Sequence, residues 1–425
     1  MPVIHRAAAA FLAAFMIASA YADFQGSTHM TPFDEDTIGY SKTKSHGRIA
    51  KLQERLDRGE VKLVRDERFD YLLSVLTNLN VPPSSQMLVF SKTSFQRERI
   101  DPKHPRGVYF GDDVYVGYVP GSPLLEFTEV DAKLGAVFYT LDQTEAKPRF
   151  TRNDQCLECH ASAKTMGVPG HLVRSFATDE SGVVDLGTGI SLVNHRTPIE
   201  ERWGGWFVTG THGAQTHRGN LYGKAAFQKQ TREPNFAANT FSLGKHFDLT
   251  PYPLGSSDIV ALMVVEHQSH MHNFITRLNY ESTMALQQYG HVRYLKTVTE
   301  AFVKYLLFTE EAPLTARVQG DPNFTEKFTA LGPKDSRGRS LRDFDLETRL
   351  FKHPCSYLIY SDAFAALPTP MKERIYERLL EVLTGRETGA DYQRLSKETR
   401  RSILEILAAT KTDLPKSWST AVAKR

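Results

Sequence analysis

Cysteine is scarce in this chain, with three residues in 425. No disulfide framework of the kind that holds small secreted domains together can be built from so few. Long hydrophobic runs are missing too. The longest uncharged apolar stretch, Ala7 to Ala18, is 12 residues, short of the roughly 20 helical residues needed to cross a bilayer. Neither sign of charge dominates: 52 Lys and Arg stand against 49 Asp and Glu, for a net charge of +3. That balance points away from a nucleic-acid partner and from strong attraction to a membrane surface. Internal repeats and low-complexity tracts are absent. What is present is an ordinary globular composition, 41% hydrophobic and 24% charged, on a chain long enough to bury a large core.

Two of the three cysteines stand three apart in Cys156-Leu157-Glu158-Cys159-His160. In this C-x-x-C-H arrangement, two thiols at that separation can each add to one vinyl group of a porphyrin. The histidine after them is carried beneath the ring as proximal iron ligand. On these five residues the chain resembles the c-type cytochromes. The resemblance implies one covalently attached haem c, held by Cys156, Cys159 and His160. Two other chemistries use a C-x-x-C pair. A zinc clip needs a second half, and His212 with His217 offers an H-x4-H spacing, but too far along the chain for a finger. A redox dithiol of the thioredoxin kind needs a surrounding βαβ pattern, which is not found. The remaining cysteine, Cys355 in His353-Pro354-Cys355, is expected to be buried and inert, with a functional thiol as the rarer outcome.

The N-terminus reads as an export signal. Met1 to Arg6 carries one Arg, Ala7 to Ala18 is the apolar core, and Ala20-Tyr21-Ala22 is a small-x-small cleavage site. Residues 1–22 are therefore expected to be removed, leaving a periplasmic or otherwise exported protein with no integral membrane segment. Covalent haem attachment in the family implied here takes place outside the cytoplasmic membrane, so the two features cohere.

Periodicity divides the rest. Residues 23–45 are polar and irregular and predict a loose arm, closing a 23–80 region with helices from His46 to Leu56 and Arg68 to Leu79. The 81–250 region is strand-rich. Hairpins are expected for Val108–Phe110 with Val114–Val119, and for Leu124–Val130 with Ala136–Leu141. Further strands are expected at Leu172–Ala177, Gly189–Val193 and Trp206–Thr209. Arg97, Arg99, Lys103, His104 and Arg106 form a basic cluster, read as a solvated face or, more sharply, as a docking patch for an acidic redox partner. Trp203, Trp206 and Phe207 are candidates to wall a haem pocket, or plain core aromatics. From 251 to 425 the pattern is helical. Val260, Met263, His267, Met271, Phe274 and Leu278 share one face of a helix ended by Gly290. A second helix spans Arg293 to Phe308, a surface excursion Gly320 to Leu341, and two closing helices Thr369 to Leu383 and Ser396 to Ala409. The fold class expected is α+β, a strand-rich centre carrying the haem segment beside a largely helical C-terminal half.

The opposite face of the iron decides the chemistry. Met166 is too close to His160 to cross easily to that face. His267, on the apolar stripe, and His212 and His217 are the candidate distal residues; His171, His195, His270 and His272 also lie at usable separations. Glu266 and His270, one turn apart, would form either a proton-handling pair or a surface ion pair. Two functions are open: one-electron transfer to an exported redox partner, or a haem enzyme, peroxidase- or oxidase-like, with an open distal position. The strings Glu201-Arg202-Trp203-Gly204-Gly205-Trp206 and Thr211-His212-Gly213 resemble uncharacterised exported bacterial proteins containing a cytochrome c domain. That likeness implies haem and export and assigns no reaction.

Overall fold

The computed structural model describes residues 30–423, so the export signal expected over 1–22 lies outside the described residues. The stretch from 30 to 45 is no loose arm. Ile38 and Tyr40 are buried, and the Tyr40 hydroxyl donates to the Ala136 carbonyl at 2.8 Å. Helix α1 (Arg48–Asp57) begins without a side-chain cap of its own. The Glu129 carboxylate supplies the acceptor instead, 2.5 Å from the Ile49 amide; an anion at a helix N-terminus satisfies a free N–H and the helix dipole together. Helix α2 (Leu72–Asn78) starts later than the periodicity predicts. Asp66 accepts from the Arg68 and Phe69 amides, and Asp70 sits at φ 49°, a local turn that competes with helix.

The centre is antiparallel sheet. It comprises β1 (Met87–Val89), β2 (Arg106–Phe110), β3 (Val114–Tyr118), β4 (Leu124–Asp131), β5 (Gly135–Asp142) and β6 (Phe150–Arg152). After helical turn α3 (Leu157–His160) comes a two-stranded ribbon, β7 (Arg174–Ser175) with β8 (Ser191–Leu192), and then β9 (Trp206–Phe207). The order across the large sheet is β6-β5-β4-β3-β2-β1-β9. Both expected hairpins form, β2–β3 and β4–β5. The three later strands shrink to two residues each, because the chain there leaves the ladder; the Phe176 amide, for instance, turns to the Gly204 carbonyl.

Strand alternation gives the sheet two unlike faces. One carries Tyr109, Val114, Val116, Leu125, Phe127, Val137 and Leu141, sealed by α1, α2 and the segment before them. The other carries Phe110, Tyr115 and Val130 at one end, packed into the main core. At its opposite end Arg106, Val108, Glu126, Thr128 and Thr140 remain half-buried.

Helix α4 (Lys224–Arg232) precedes the long α5 (Ile259–Tyr289), capped by Asp258 and ended by Gly290 at φ 71°. The predicted apolar stripe becomes burial on nearly every side, since Glu266, Gln268, His272 and Asn273 are buried too. Helix α5 lies between the sheet and the helices α6 (Lys296–Leu306), α7 (Pro322–Ala330), α8 (Asp362–Ala365), α9 (Thr369–Leu383), α10 (Lys397–Thr410) and α11 (Lys416–Ala423). The expected surface excursion over 320–341 contains α7, which drives Phe324 and Phe328 into the core. The protein is thus α+β, and one hydrophobic core runs from Met87 to Trp418 across the boundary at 250. Among the described residues no helix is long and apolar enough to cross a membrane.

Candidate functional site

The C-x-x-C-H segment leaves the sheet at β6. Asn153 accepts from the Gln155 amide and starts a tight turn, which runs into α3 and ends at His160. Met166 and Gly167 at positive φ then reverse the chain, and Pro169–Gly170 returns alongside Ala161. The Gly170 carbonyl lies 2.9 Å from His160 Nδ1. A carbonyl can only accept, so Nδ1 carries the proton and Nε2 is left with its lone pair and no partner among the described residues. Burial pushes His160 down to about 4, which keeps the imidazole neutral at ordinary pH. Metal-binding histidines are commonly oriented this way, by a backbone carbonyl on the far nitrogen. Phe138 from β5 packs on the ring at 4.9 Å between centroids.

The returning loop is clamped from α5. Asn273 accepts from the His171 amide at 2.8 Å and donates to its carbonyl at 2.6 Å. A Cβ on Gly170 would lie 2.3 Å from Asn273 Oδ1, so the close approach requires glycine there. His171 donates or accepts at Thr128 Oγ1 (3.0 Å) and packs on Tyr115 at 4.4 Å.

Cys156 is half-buried and Cys159 exposed, and the two are not bridged. Burial raises the Cys156 thiol to about 11, the opposite of the activated thiolate on which dithiol exchange depends. Both thiols lie by the half-buried end of the sheet face. Glu126 and Arg106 act on Cys156, and Arg106 and Arg174 on His160. Arg106 pairs with Glu126 at 2.5 Å, its guanidinium lying across Gly117 of the intervening strand, where any side chain would collide with it. Trp206, half-buried, donates to the Arg174 carbonyl at 3.0 Å. Sequence reasoning missed Phe138, Thr128, Gly170, Asn273 and Arg174; the only local signal was Asn273, a polar residue in an apolar helix.

The other predicted histidines are placed elsewhere. His267 spends both ring nitrogens, Nδ1 on His195 (2.9 Å) and Nε2 on Ser356 (2.7 Å), within a stack of His195, Tyr305 and Phe308. His212 and His217 pack on each other at 4.6 Å. His212 Nε2 takes the Asn239 amide and His217 Nδ1 the Gly219 amide. No group of three or more His, Cys, Asp or Glu among the described residues is arranged to hold a metal ion, so the zinc pairing of Cys156 and Cys159 with His212 and His217 is not assembled. Glu266 does not pair with His270. It is fully buried, bonded by the Trp203 indole and by Arg202 at 2.9 Å, while His270 packs on Tyr305 and Phe274. The reason is the burial of α5 all round, which forces the carboxylate to find a cation inside. Trp203 is therefore core and Phe207 packs with Phe90 and Phe247 in a separate small cluster, leaving Trp206 alone of the three beside the C-x-x-C-H segment. Of the basic cluster, Arg97, Arg99, Lys103 and His104 are exposed and Arg106 is not. Cys355 is fully buried.

Compared with protein-family models, curated proteins and solved structures, this chain matches none.

Proposed function

We propose that this is an exported monohaem c-type cytochrome-domain protein that transfers single electrons. Cys156 and Cys159 would hold the porphyrin by thioether bonds, and His160 Nε2 would bind the iron. The group would supply an iron able to alternate between ferric and ferrous. One observation carries the reading: two unbridged thiols beside a neutral imidazole whose Nδ1 is committed to Gly170 and whose Nε2 is free. The half-buried end of the sheet face, with Val108, Thr128 and Phe138, supports it, because a porphyrin needs flat apolar cover. Phe138 and Gly170 fix the ring plane of His160. Asn273 fixes the loop that carries Gly170. The exported location rests on residues 1–22, and an acidic redox partner is the chemistry that would suit exposed Arg97, Arg99 and Lys103.

The test is production in a host that matures c-type cytochromes. The purified chain is expected to carry one haem by mass and to give a pyridine haemochrome spectrum, and Cys156→Ser with Cys159→Ser to remove both. A colourless, zinc-bearing product would overturn the proposal.

The second reading, a haem enzyme with an exchangeable distal position, is favoured by one observation: His267 has both ring nitrogens occupied. Rapid carbon monoxide binding to the reduced protein supports it, and resistance to carbon monoxide and cyanide rejects it.

A further inference from the structure

Arg174 is a cation without an anion. Its guanidinium is half-buried, stacks over Phe176 at 5.2 Å, and makes no hydrogen bond or ion pair among the described residues. The backbone beneath it is fixed on every side. Arg174 pairs with Leu192 across the β7–β8 ribbon, its carbonyl takes the Trp206 indole at 3.0 Å, and Ser175 Oγ takes the Gly204 amide at 2.9 Å. The side chain therefore cannot swing away without unpacking from Phe176. The other buried charges around the thiols are matched: Arg106 by Glu126 at 2.5 Å, Arg152 by Asp154 at 2.8 Å. Glu158, within the motif, is exposed and forms no ion pair among the described residues. Among the half-buried charges around the thiols Arg174 is thus left unmatched, partly desolvated and close enough to Cys159 and His160 to act on both electrostatically. Partial burial of a guanidinium costs free energy unless a carboxylate or phosphate meets it, and its planar fork matches a carboxylate best.

We infer that Arg174 is a carboxylate-binding residue, and that its anion is a carboxylate of the porphyrin attached at Cys156 and Cys159. This rests on the proposed function. It assigns Arg174 a part in setting the electron affinity of the iron, because an unneutralised carboxylate nearby favours the ferric state.

The experiment compares holoprotein, Arg174→Gln and Arg174→Lys by spectroelectrochemical titration across pH 5 to 8. Arg106, Glu126, Arg152, Asp154, Glu158 and His160 are the other ionisable groups around the two thiols and are common to all three proteins. In the wild type the paired carboxylate stays ionised, so the potential is flat with pH. In Arg174→Gln the carboxyl takes up a proton within this range, and the potential falls as pH rises. At pH 8 the oxidised-to-reduced ratio at fixed potential should rise about tenfold over wild type, a shift of about 59 mV for one electron. Arg174→Lys keeps the charge and should restore most of the flat profile, which separates loss of charge from loss of packing. Identical profiles in wild type and Arg174→Gln would overturn the inference while leaving haem attachment standing. Saturable response of the wild-type spectrum to sodium acetate, lost in Arg174→Gln, would show that the carboxylate comes from solution and would overturn the porphyrin as its source. A chain without a haemochrome spectrum would overturn both proposals together.

Discussion

His160 shows how far one residue's chemistry is set by its neighbours. The C-x-x-C-H spacing is local, so the sequence could point to these five positions. The proton on Nδ1 depends on a carbonyl ten residues away, delivered by a loop that α5 clamps, and no spacing rule reaches that far. Phe138 carries much of the packing on the imidazole. Phe138→Ala is expected to destabilise the protein by about 3–5 kcal/mol, the usual cost of emptying a buried aromatic site, measured as a drop in the urea midpoint. Glu266 is the second test at this scale. Removing it as Glu266→Ala strands Arg202, which is 3% exposed, and should cost about 3–5 kcal/mol. A loss below about 1 kcal/mol, the range of exposed pairs, would mean that water reaches this ion pair.

Among the elements, α5 explains most of what the sequence misplaced. Its apolar positions at helical spacing were legible, and so was its end at Gly290. The pattern could not reveal that its polar positions are buried as well, because Glu266, Gln268 and Asn273 find their partners on four separate segments: Arg202, Tyr115, Tyr357 and the His171 backbone. Its start depends on Asp258, which accepts from the Ala261 amide at 2.8 Å and the Asp321 amide at 2.5 Å. One side chain thus caps α5 and anchors the entry to α7. Asp258→Ala should lower stability by about 1–2 kcal/mol for the cap alone, with a further loss for the stranded Asp321 amide. Hydrogen exchange should then quicken at the first turns of α5 and α7 together. Quickening confined to α5 would refute the shared anchor.

At the scale of the whole molecule, the sequence reading of α+β holds because strand and helix periodicities occupy separate halves of the chain. What it could not give is the number of buried neutral histidines. Burial lowers His217 and His270 to about 3 and His272 to about 4, and it holds His171, His195 and His267 well below their ordinary value. In the unfolded chain each would titrate near 6.5. Their contribution to stability is therefore complete above about 6.5 and is lost as pH falls through that value toward the folded pKa, at about 1.4 kcal/mol per pH unit for each histidine. Thermal melts at pH 7, 6, 5 and 4 should show a Tm that falls ever more steeply, with net proton uptake on unfolding. A flat Tm from pH 7 to pH 4 would contradict the assignment of these rings as buried and uncharged.

Cys159 sits at the outer surface of a finished fold. On the proposed function, a ligation enzyme could therefore reach this thiol after the polypeptide has collapsed, and haem attachment there need not come before folding. The chain made in cells lacking haem-attachment machinery should melt cooperatively and retain its near-ultraviolet circular dichroism.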